Sequence, residues 1–95
     1  MRLTPGQAQV IRERIRGCMG QHARIWLFGS RTDDSRRGGD VDLYVEPEIA
    51  PDPMACLRCK SALAEALDLG VDLIVQQSGR DLPIYRIARQ RGVAL

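Results

Sequence analysis

Apolar residues recur at spacings of three and four positions in three stretches of the chain, which is the periodicity of a helix with one buried face. Thr4, Asp52 and Asp81 precede these stretches, and their side chains can accept a hydrogen bond from the first turn of a helix. The pattern predicts a helix over residues 5–18 and two more that follow Asp52 and Asp81, the last ending at Gly92. The apolar positions are Ala8, Ile11, Ile15 and Cys18 in the first helix, Cys56, Cys59, Leu63 and Leu67 in the second, and Ile84, Ile87 and Ala88 in the third.

Short apolar runs between these helices predict β-strands. Such runs occupy residues 24–28 and 71–75 and, in alternating form, residues 40–45. Residues 93–95 could add a short edge strand, and the polar residues 30–39 are predicted to form a turn of helix and a tight loop. Helices that alternate with strands predict an α/β sheet with helices packed against it. We find no internal repeat or linker, so the whole chain is predicted to be a single domain.

Three acidic residues interrupt the predicted strands. Because strand side chains alternate between faces, Asp40 and Asp42 are predicted to share one face with Tyr44, about 7 Å apart along the strand. Asp72 is the one acid in an otherwise apolar strand, and a neighbouring strand could bring it to the same side. Carboxylates this close repel each other unless a cation neutralises them, and Mg²⁺ prefers oxygen ligands. The pattern favours a site for one or two Mg²⁺ ions.

A second chemical feature lies where the first strand ends. Phe28 is followed by Gly29 and Ser30, and a glycine between a strand and a helical turn lets a phosphate approach the free backbone N–H groups. Arg31 follows directly and could reach phosphate oxygens. Together with the acids, this segment supplies what nucleotidyl transfer requires, which is metal ligands, donors to phosphate and a carboxylate near the attacking hydroxyl.

These residues resemble the signature of the DNA polymerase β-type nucleotidyltransferases, in which Gly-Ser is followed by Asp-x-Asp. Here Gly29-Ser30 is followed, after nine intervening residues, by Asp40-Val41-Asp42. More narrowly, the whole chain is similar to the minimal nucleotidyltransferases (MNT) of prokaryotes, many of which are antitoxins paired with HEPN-domain toxins. Asp72 stands at the position expected of the third acid of this family.

The resemblance implies an α+β nucleotidyltransferase core, with a small mixed sheet of three or four strands flanked by helices. It implies that Asp40 and Asp42 bind Mg²⁺, that Asp72 assists metal binding or activates the acceptor hydroxyl, and that all three are catalytic. The residues implied for nucleotide binding are Gly29, Ser30, Arg31 and Gly39. In the antitoxin group the reaction is AMPylation, the transfer of AMP from ATP onto a tyrosine of the toxin. A HEPN-type helical toxin is therefore the partner implied.

Composition narrows the classes of function. The net charge of +2 is too small for a general nucleic-acid binder, and the aromatic residues are too few and scattered for a base-stacking platform, so no direct nucleic-acid binding is expected. No apolar stretch reaches the roughly 20 residues that span a membrane, and the N-terminal segment lacks the apolar part of a signal peptide. Three cysteines, an odd number, fit free thiols in a reducing compartment. The expected location is the cytoplasm.

The spacing Cys56-x-x-Cys59 has two interpretations. It could bind zinc if Cys18 and His22 converged on it from other elements. A helical core position is favoured for both cysteines, because they lie on an apolar stripe and no second Cys pair is present.

Two functions of different classes are compatible with the chain, besides a less favoured transfer to a small molecule. The first is an enzyme that transfers a nucleoside monophosphate onto a partner protein. The second is a non-catalytic, nucleotide-binding antitoxin that neutralises its partner by occlusion. Substitution of Asp42 separates them, because only the enzyme needs this acid for its effect.

Overall fold

The computed structural model describes residues 3–28 and 41–95, and these residues form three helices and four strands. The helices are α1 (Pro5–Met19), α2 (Pro53–Leu67) and α3 (Pro83–Arg91). The strands are β1 (Arg24–Phe28), β2 (Val41–Glu46), β3 (Val71–Val75) and β4 (Val93–Ala94). Every helix and strand predicted within the described residues is present. The strand β2 extends one residue beyond the predicted end at Val45, and its predicted first residue, Asp40, lies outside the described residues.

The first two helices begin as their sequences predict. The Thr4 hydroxyl accepts a hydrogen bond from the backbone N–H of Gln7 at 3.1 Å, while the Gln7 side chain accepts one from the Thr4 N–H at 2.8 Å. This reciprocal pair is a capping box. At the start of α2 the Asp52 carboxylate accepts from the Ala55 N–H at 2.7 Å. Both ends satisfy backbone donors that have no partner within the helix.

The predicted cap of the third helix is wrong. Leu82, not Asp81, is the N-cap residue of α3, and it makes no side-chain capping bond. Proline favours the first helical position, so Pro83 sets the start of the helix and leaves Asp81 one residue too early to cap it. Asp81 instead pairs with Arg86 at 3.0 Å on the exposed surface.

The four strands form one mixed sheet in the order β3-β2-β1-β4. Strand β1 pairs antiparallel with β2 and with β4, whereas β2 pairs parallel with β3. The parallel pair requires a crossover, which α2 supplies. The mixed, helix-flanked sheet implied by the family resemblance is confirmed.

One face of the sheet is covered by α1 and α2. Val41, Leu43 and Val45 of β2 point to this side and are fully buried, as their alternation predicts. The helices contribute Ile11, Ile15, Met19, Cys59, Leu63 and Leu67 to the same core. Cys18, which was predicted on the apolar stripe of the first helix, is exposed. Met19, four residues after Ile15, is buried instead because it lies one helical turn further along the same face.

The opposite face carries a smaller cluster formed by Tyr44, Tyr85 and Ala88, with Trp26, Phe28 and Ile74 packed against it. Helix α3 contacts β1 and β2 on this side. Tyr85 and Ala88 are its buried residues, whereas Ile84 and Ile87, which were predicted on the apolar face, are 38% and 46% exposed. In so short a helix, the apolar positions are compatible with burial of either Ile84 and Ile87 or Tyr85 and Ala88. The aromatic ring of Tyr85 has a larger surface to bury against the sheet than an isoleucine side chain has.

Two glycines allow the chain to turn where other residues would clash. Gly92 ends α3, as predicted, and a Cβ atom there would meet the Ala88 and Leu27 carbonyl oxygens. Gly20 follows α1 with φ of 103°, a conformation that favours glycine. Within the part of the chain that the structure describes, no helix is long and apolar enough to cross a membrane.

Candidate functional site

Two of the three predicted acids are direct neighbours in the sheet. Asp42 of β2 is in register with Asp72 of the parallel strand β3. Residues in register on adjacent strands point to the same face, and adjacent strands lie about 4.8 Å apart. Asp42 is half-buried and Asp72 is exposed, so both carboxylates lie where the face opens to solvent. The structure therefore brings together an acid pair that the sequence places 30 residues apart.

The face that holds this pair is the one opposite α1 and α2. Asp42 alternates with Val41 and Leu43, which are buried in the main core, so its side chain lies on the side of Tyr44. The predicted alternation of β2 is confirmed for its described residues. Helix α3 covers Tyr44 but not Asp72, which remains exposed at the edge strand β3. A substrate can approach the acids from this side.

Strand β1 leads into the predicted phosphate-binding segment beside the acids. Phe28, the last residue of β1, is the antiparallel partner of Asp42. Gly29 is the next residue in the sequence. Five predicted site residues lie outside the described residues: Gly29, Ser30, Arg31, Gly39 and Asp40. Their roles stay predictions.

The donor set suits a hard cation. Two adjacent carboxylates on an open face provide the oxygen ligands that Mg²⁺ prefers. Among residues 3–28 and 41–95, no group of three or more His, Cys, Asp or Glu side chains is arranged to hold a metal ion. The predicted triad is not such a group within these ranges, since Asp40 falls between them.

A stack of three aromatic rings supports the strand that carries Asp42. The Tyr44 ring lies between those of Trp26 and Tyr85, with centroid distances of 5.4 Å and 5.3 Å. The Tyr44 hydroxyl donates a hydrogen bond to Glu46 at 2.8 Å. Burial, together with this bond and the negative charge of Glu46, raises the pKa of Tyr44 well above its ordinary value. Tyr44 therefore stays neutral, as a buried donor beneath the site.

Glu46 and Arg89 complete this support and were missed in the sequence. Arg89 of α3 donates a hydrogen bond to the Glu46 carboxylate at 2.6 Å, and the pair is partly buried. This bond raises the pKa of Arg89. Glu46 continues the 42, 44, 46 alternation of β2, which is a signal for its face, but its partner lies 43 residues away. No local pattern in the sequence indicates that pairing.

The alternative zinc interpretation of the cysteines does not match the structure. His22 is exposed, and its Nδ1 lies 2.7 Å from the Glu48 carboxylate. The hydrogen bonds from His22 lower the pKa of Glu48. Cys59 is buried in the main core and Cys56 packs against it, which agrees with the favoured core interpretation.

The arrangement as a whole defines a class of protein. A mixed sheet carries adjacent acids on a central strand and the parallel edge strand beside it, and the antiparallel neighbour of the central strand is followed in the sequence by Gly-Ser. This is the plan of the polymerase β-type nucleotidyltransferase core, which the sequence resemblance implies.

Comparison with solved structures narrows the class. The chain is similar to a toxin–antitoxin structure with AMP-PNP, with a TM-score of 0.74 and 26% identity over 93% of this chain and 70% of that one. A tri-AMPylated Shewanella oneidensis HEPN toxin in complex with MNT antitoxin matches with a TM-score of 0.70 and 25% identity, over 93% of this chain and 66% of that one. A toxin–antitoxin variant with two Asp→Glu substitutions matches with a TM-score of 0.72 and 24% identity, over 93% of this chain and 70% of that one.

Neither the protein-family models nor the curated proteins contain a match to this chain. The structural neighbours therefore carry the assignment. The chain has the fold of the minimal nucleotidyltransferase antitoxins, and the resemblance inferred from the sequence is confirmed.

Proposed function

We propose that this chain is a Mg²⁺-dependent nucleotidyltransferase that moves AMP from ATP onto a hydroxyl of a HEPN-type toxin and thereby acts as its antitoxin in the cytoplasm. The observation that carries the proposal is the register of Asp42 with Asp72 on the open face of the sheet. Two adjacent carboxylates provide oxygen ligands for a hard cation, and the exposed Asp72 lies on the side that a substrate would reach.

The proposed roles are those that the family resemblance implies. Asp40 and Asp42 would hold the metal, and Asp72 would complete the ligand set or accept the proton of the attacking hydroxyl. When bound, Mg²⁺ supplies positive charge that polarises the reacting phosphate. Gly29 and Ser30 would offer backbone and hydroxyl donors to the leaving pyrophosphate.

Arg31 and Gly39 belong to the same proposed nucleotide site. The guanidinium group of Arg31 would pair with phosphate oxygens, and Gly39, immediately before Asp40, would let the nucleotide approach the backbone closely. Phe28, the residue that precedes Gly29 in the sequence, is the partner of Asp42 across the β1–β2 pair.

The proposed substrate and partner rest on the neighbouring structures. One of them contains AMP-PNP, an analogue of ATP, and another contains a HEPN toxin that carries three AMP groups. Identity to both is only 25–26%, and this chain spans 66–70% of their length. An AMP-transfer assay with a HEPN-type partner tests both the nucleotide and the partner.

The test compares Asp42→Asn with a matched control. A candidate HEPN-type partner is incubated with this chain, ATP and Mg²⁺, and the intact mass of the partner is followed over time. We expect one or more AMP units on the partner with the natural chain, and a rate at least about 100-fold lower with Asp42→Asn, because removal of a metal ligand costs several kcal/mol of transition-state stabilisation. Asp68→Asn is the control, since Asp68 is exposed at the end of α2 and Asn tolerates its left-handed conformation.

One further measurement separates catalysis from occlusion. The AMPylated toxin of the neighbouring structure remains in complex with its antitoxin, an observation that also favours the binding module as a second candidate function. If Asp42→Asn binds the partner and neutralises it as well as the natural chain does, occlusion is the working mechanism. Equal AMP transfer by Asp42→Asn and Asp68→Asn would contradict the role proposed for Asp42.

A further inference from the structure

Two cysteines line one groove where α1 meets α2, away from the acid pair. Cys18 lies in the last turns of α1 and is exposed, whereas Cys59 lies in the middle of α2 and is 1% exposed. Both line the same shallow groove between the helices, together with Gly17, Arg14 and Arg58. The groove gives a small molecule access to the exposed thiol and leads to the buried one.

The two thiols differ in chemical state. Burial, and next a side-chain hydrogen bond with Cys18, raise the pKa of Cys59 to about 12. Cys59 is therefore a protonated thiol at neutral pH and is shielded from solvent. The groove places the exposed Cys18 thiol among the arginines Arg14 and Arg58, a positively charged surrounding that favours reaction with an oxidant, and Cys59 on the same groove is the thiol that can resolve the product.

We propose that Cys18 and Cys59 form a peroxide-oxidisable thiol pair that links α1 to α2 through a disulfide. This modification site is separate from the nucleotidyltransferase proposal and does not depend on it. Under reducing conditions the three cysteines are free thiols, as the structure has them.

The chemistry balances with hydrogen peroxide as the oxidant. The sulfur of Cys18 attacks one peroxide oxygen and the O–O bond breaks, which yields the Cys18 sulfenic acid and one water molecule. Sulfur is oxidised by two electrons and peroxide is reduced by two. The Cys59 sulfur then attacks the sulfenic sulfur, an S–S bond forms, the S–OH bond breaks, and the Cys59 proton leaves with the hydroxyl group as a second water.

The bridge would join two helices on the closed face of the sheet. It would close a loop that contains β1 and β2, so it restricts the unfolded chain and stabilises the folded one. Cys56 is the competing partner, because it lies one helical turn before Cys59 and is half-buried. The assignment to Cys59 rests on the groove, which Cys18 and Cys59 line together.

The sequence makes the test direct, because trypsin cleaves after Arg16, Arg24, Arg58 and Lys60 and so places each cysteine on a different peptide. The full chain is treated with hydrogen peroxide, alkylated, digested without reduction and analysed by mass spectrometry. We expect loss of two hydrogens from the intact chain, a linked pair of peptides carrying Cys18 and Cys59, and reversal by dithiothreitol.

Single substitutions complete the test. Cys56→Ser should form the bridge at the natural rate, and Cys18→Ser, at an exposed position that tolerates the change, should not form it. Cys59→Ser should accumulate the Cys18 sulfenic acid, which dimedone traps. Three outcomes would each overturn the proposal. The linked peptides could carry Cys18 and Cys56, or the disulfides could form only between two chains. All three thiols could also stay free even though oxidised methionine shows that the peroxide has reacted with the chain. If Cys59→Ser does not fold, the Cys18→Ser and Cys56→Ser pair still decides the outcome.

Discussion

The two faces of the sheet differ in what they bury and in how completely. The face under α1 and α2 is apolar, and its β2 side chains Val41, Leu43 and Val45 are fully buried. The other face buries Tyr44 beneath the shorter helix α3 and then opens at Asp42 and Asp72. A single strand, β2, supplies both sets of side chains by alternation.

This difference separates stability from chemistry within one strand. The closed face removes apolar surface from water, which is the main source of folding free energy. The open face uses directed contacts, namely ring stacking and the Tyr44–Glu46–Arg89 hydrogen bonds, to fix the strand that carries Asp42. Substitutions on the two faces should therefore fail in different ways.

The largest expected effect on stability is on the closed face. Leu63 of α2 is fully buried in the main core, so Leu63→Ala should lower the free energy of unfolding by about 2–5 kcal/mol, measured by urea denaturation. Leu57 on the same helix is 55% exposed, and Leu57→Ala is the matched control with an expected change within about 0.5 kcal/mol. Equal losses for the two variants would mean that α2 does not bury the face assigned to it.

A smaller effect is expected beneath the open face. Tyr44→Phe keeps the ring between Trp26 and Tyr85 but removes the donor to Glu46, so it should cost about 1 kcal/mol of unfolding free energy. Tyr85→Phe is the control, because the Tyr85 hydroxyl only accepts a bond from the N–H of exposed Gln77, which water can replace. If Tyr85→Phe costs as much as Tyr44→Phe, the hydrogen bonds to Glu46 are not what secures β2.

The last expected effect is a dependence of stability on alkaline pH. The native state raises the pKa of Cys59 from its ordinary 9.0 to about 12, so the folded chain keeps a proton that the unfolded chain releases. The stability is complete below the unfolded pKa and declines as the pH rises from about 9 towards 12. Cys59→Ala should flatten the decline measured between about pH 8 and pH 10, with a remainder from Cys56, whose pKa is also raised. An unchanged slope would show that Cys59 is not the buried thiol responsible.

Much of the fold could be predicted because the local signals are strong. Apolar runs gave the ends of β1 and β3, and the caps Thr4 and Asp52 gave the starts of α1 and α2. Alternation along β2 placed Asp42 and Tyr44 on the face opposite Val41 and Leu43. These features depend on residues within a few positions of one another.

The rest depends on contacts between distant residues. The pairing of Asp42 with Asp72 follows from the strand order β3-β2-β1-β4, which hydrophobic periodicity does not determine. Arg89 meets Glu46 only because α3 folds back onto the sheet. In α3 itself, Pro83 sets the first helical position, so Leu82 and not Asp81 is the N-cap residue. The ring of Tyr85 is buried, whereas Ile84 and Ile87 are exposed.

The strand order also gives the two acids unequal mechanical freedom. Strand β2 is hydrogen-bonded to β1 on one side and to β3 on the other, whereas β3 pairs with β2 alone among the strands of the described sheet. Displacing Asp42 means breaking two ladders of hydrogen bonds, and displacing Asp72 means breaking one. The pair thus combines a carboxylate on a strand held from both sides with one on a strand held from one side, so that movement within the sheet changes the position of Asp72 more than that of Asp42.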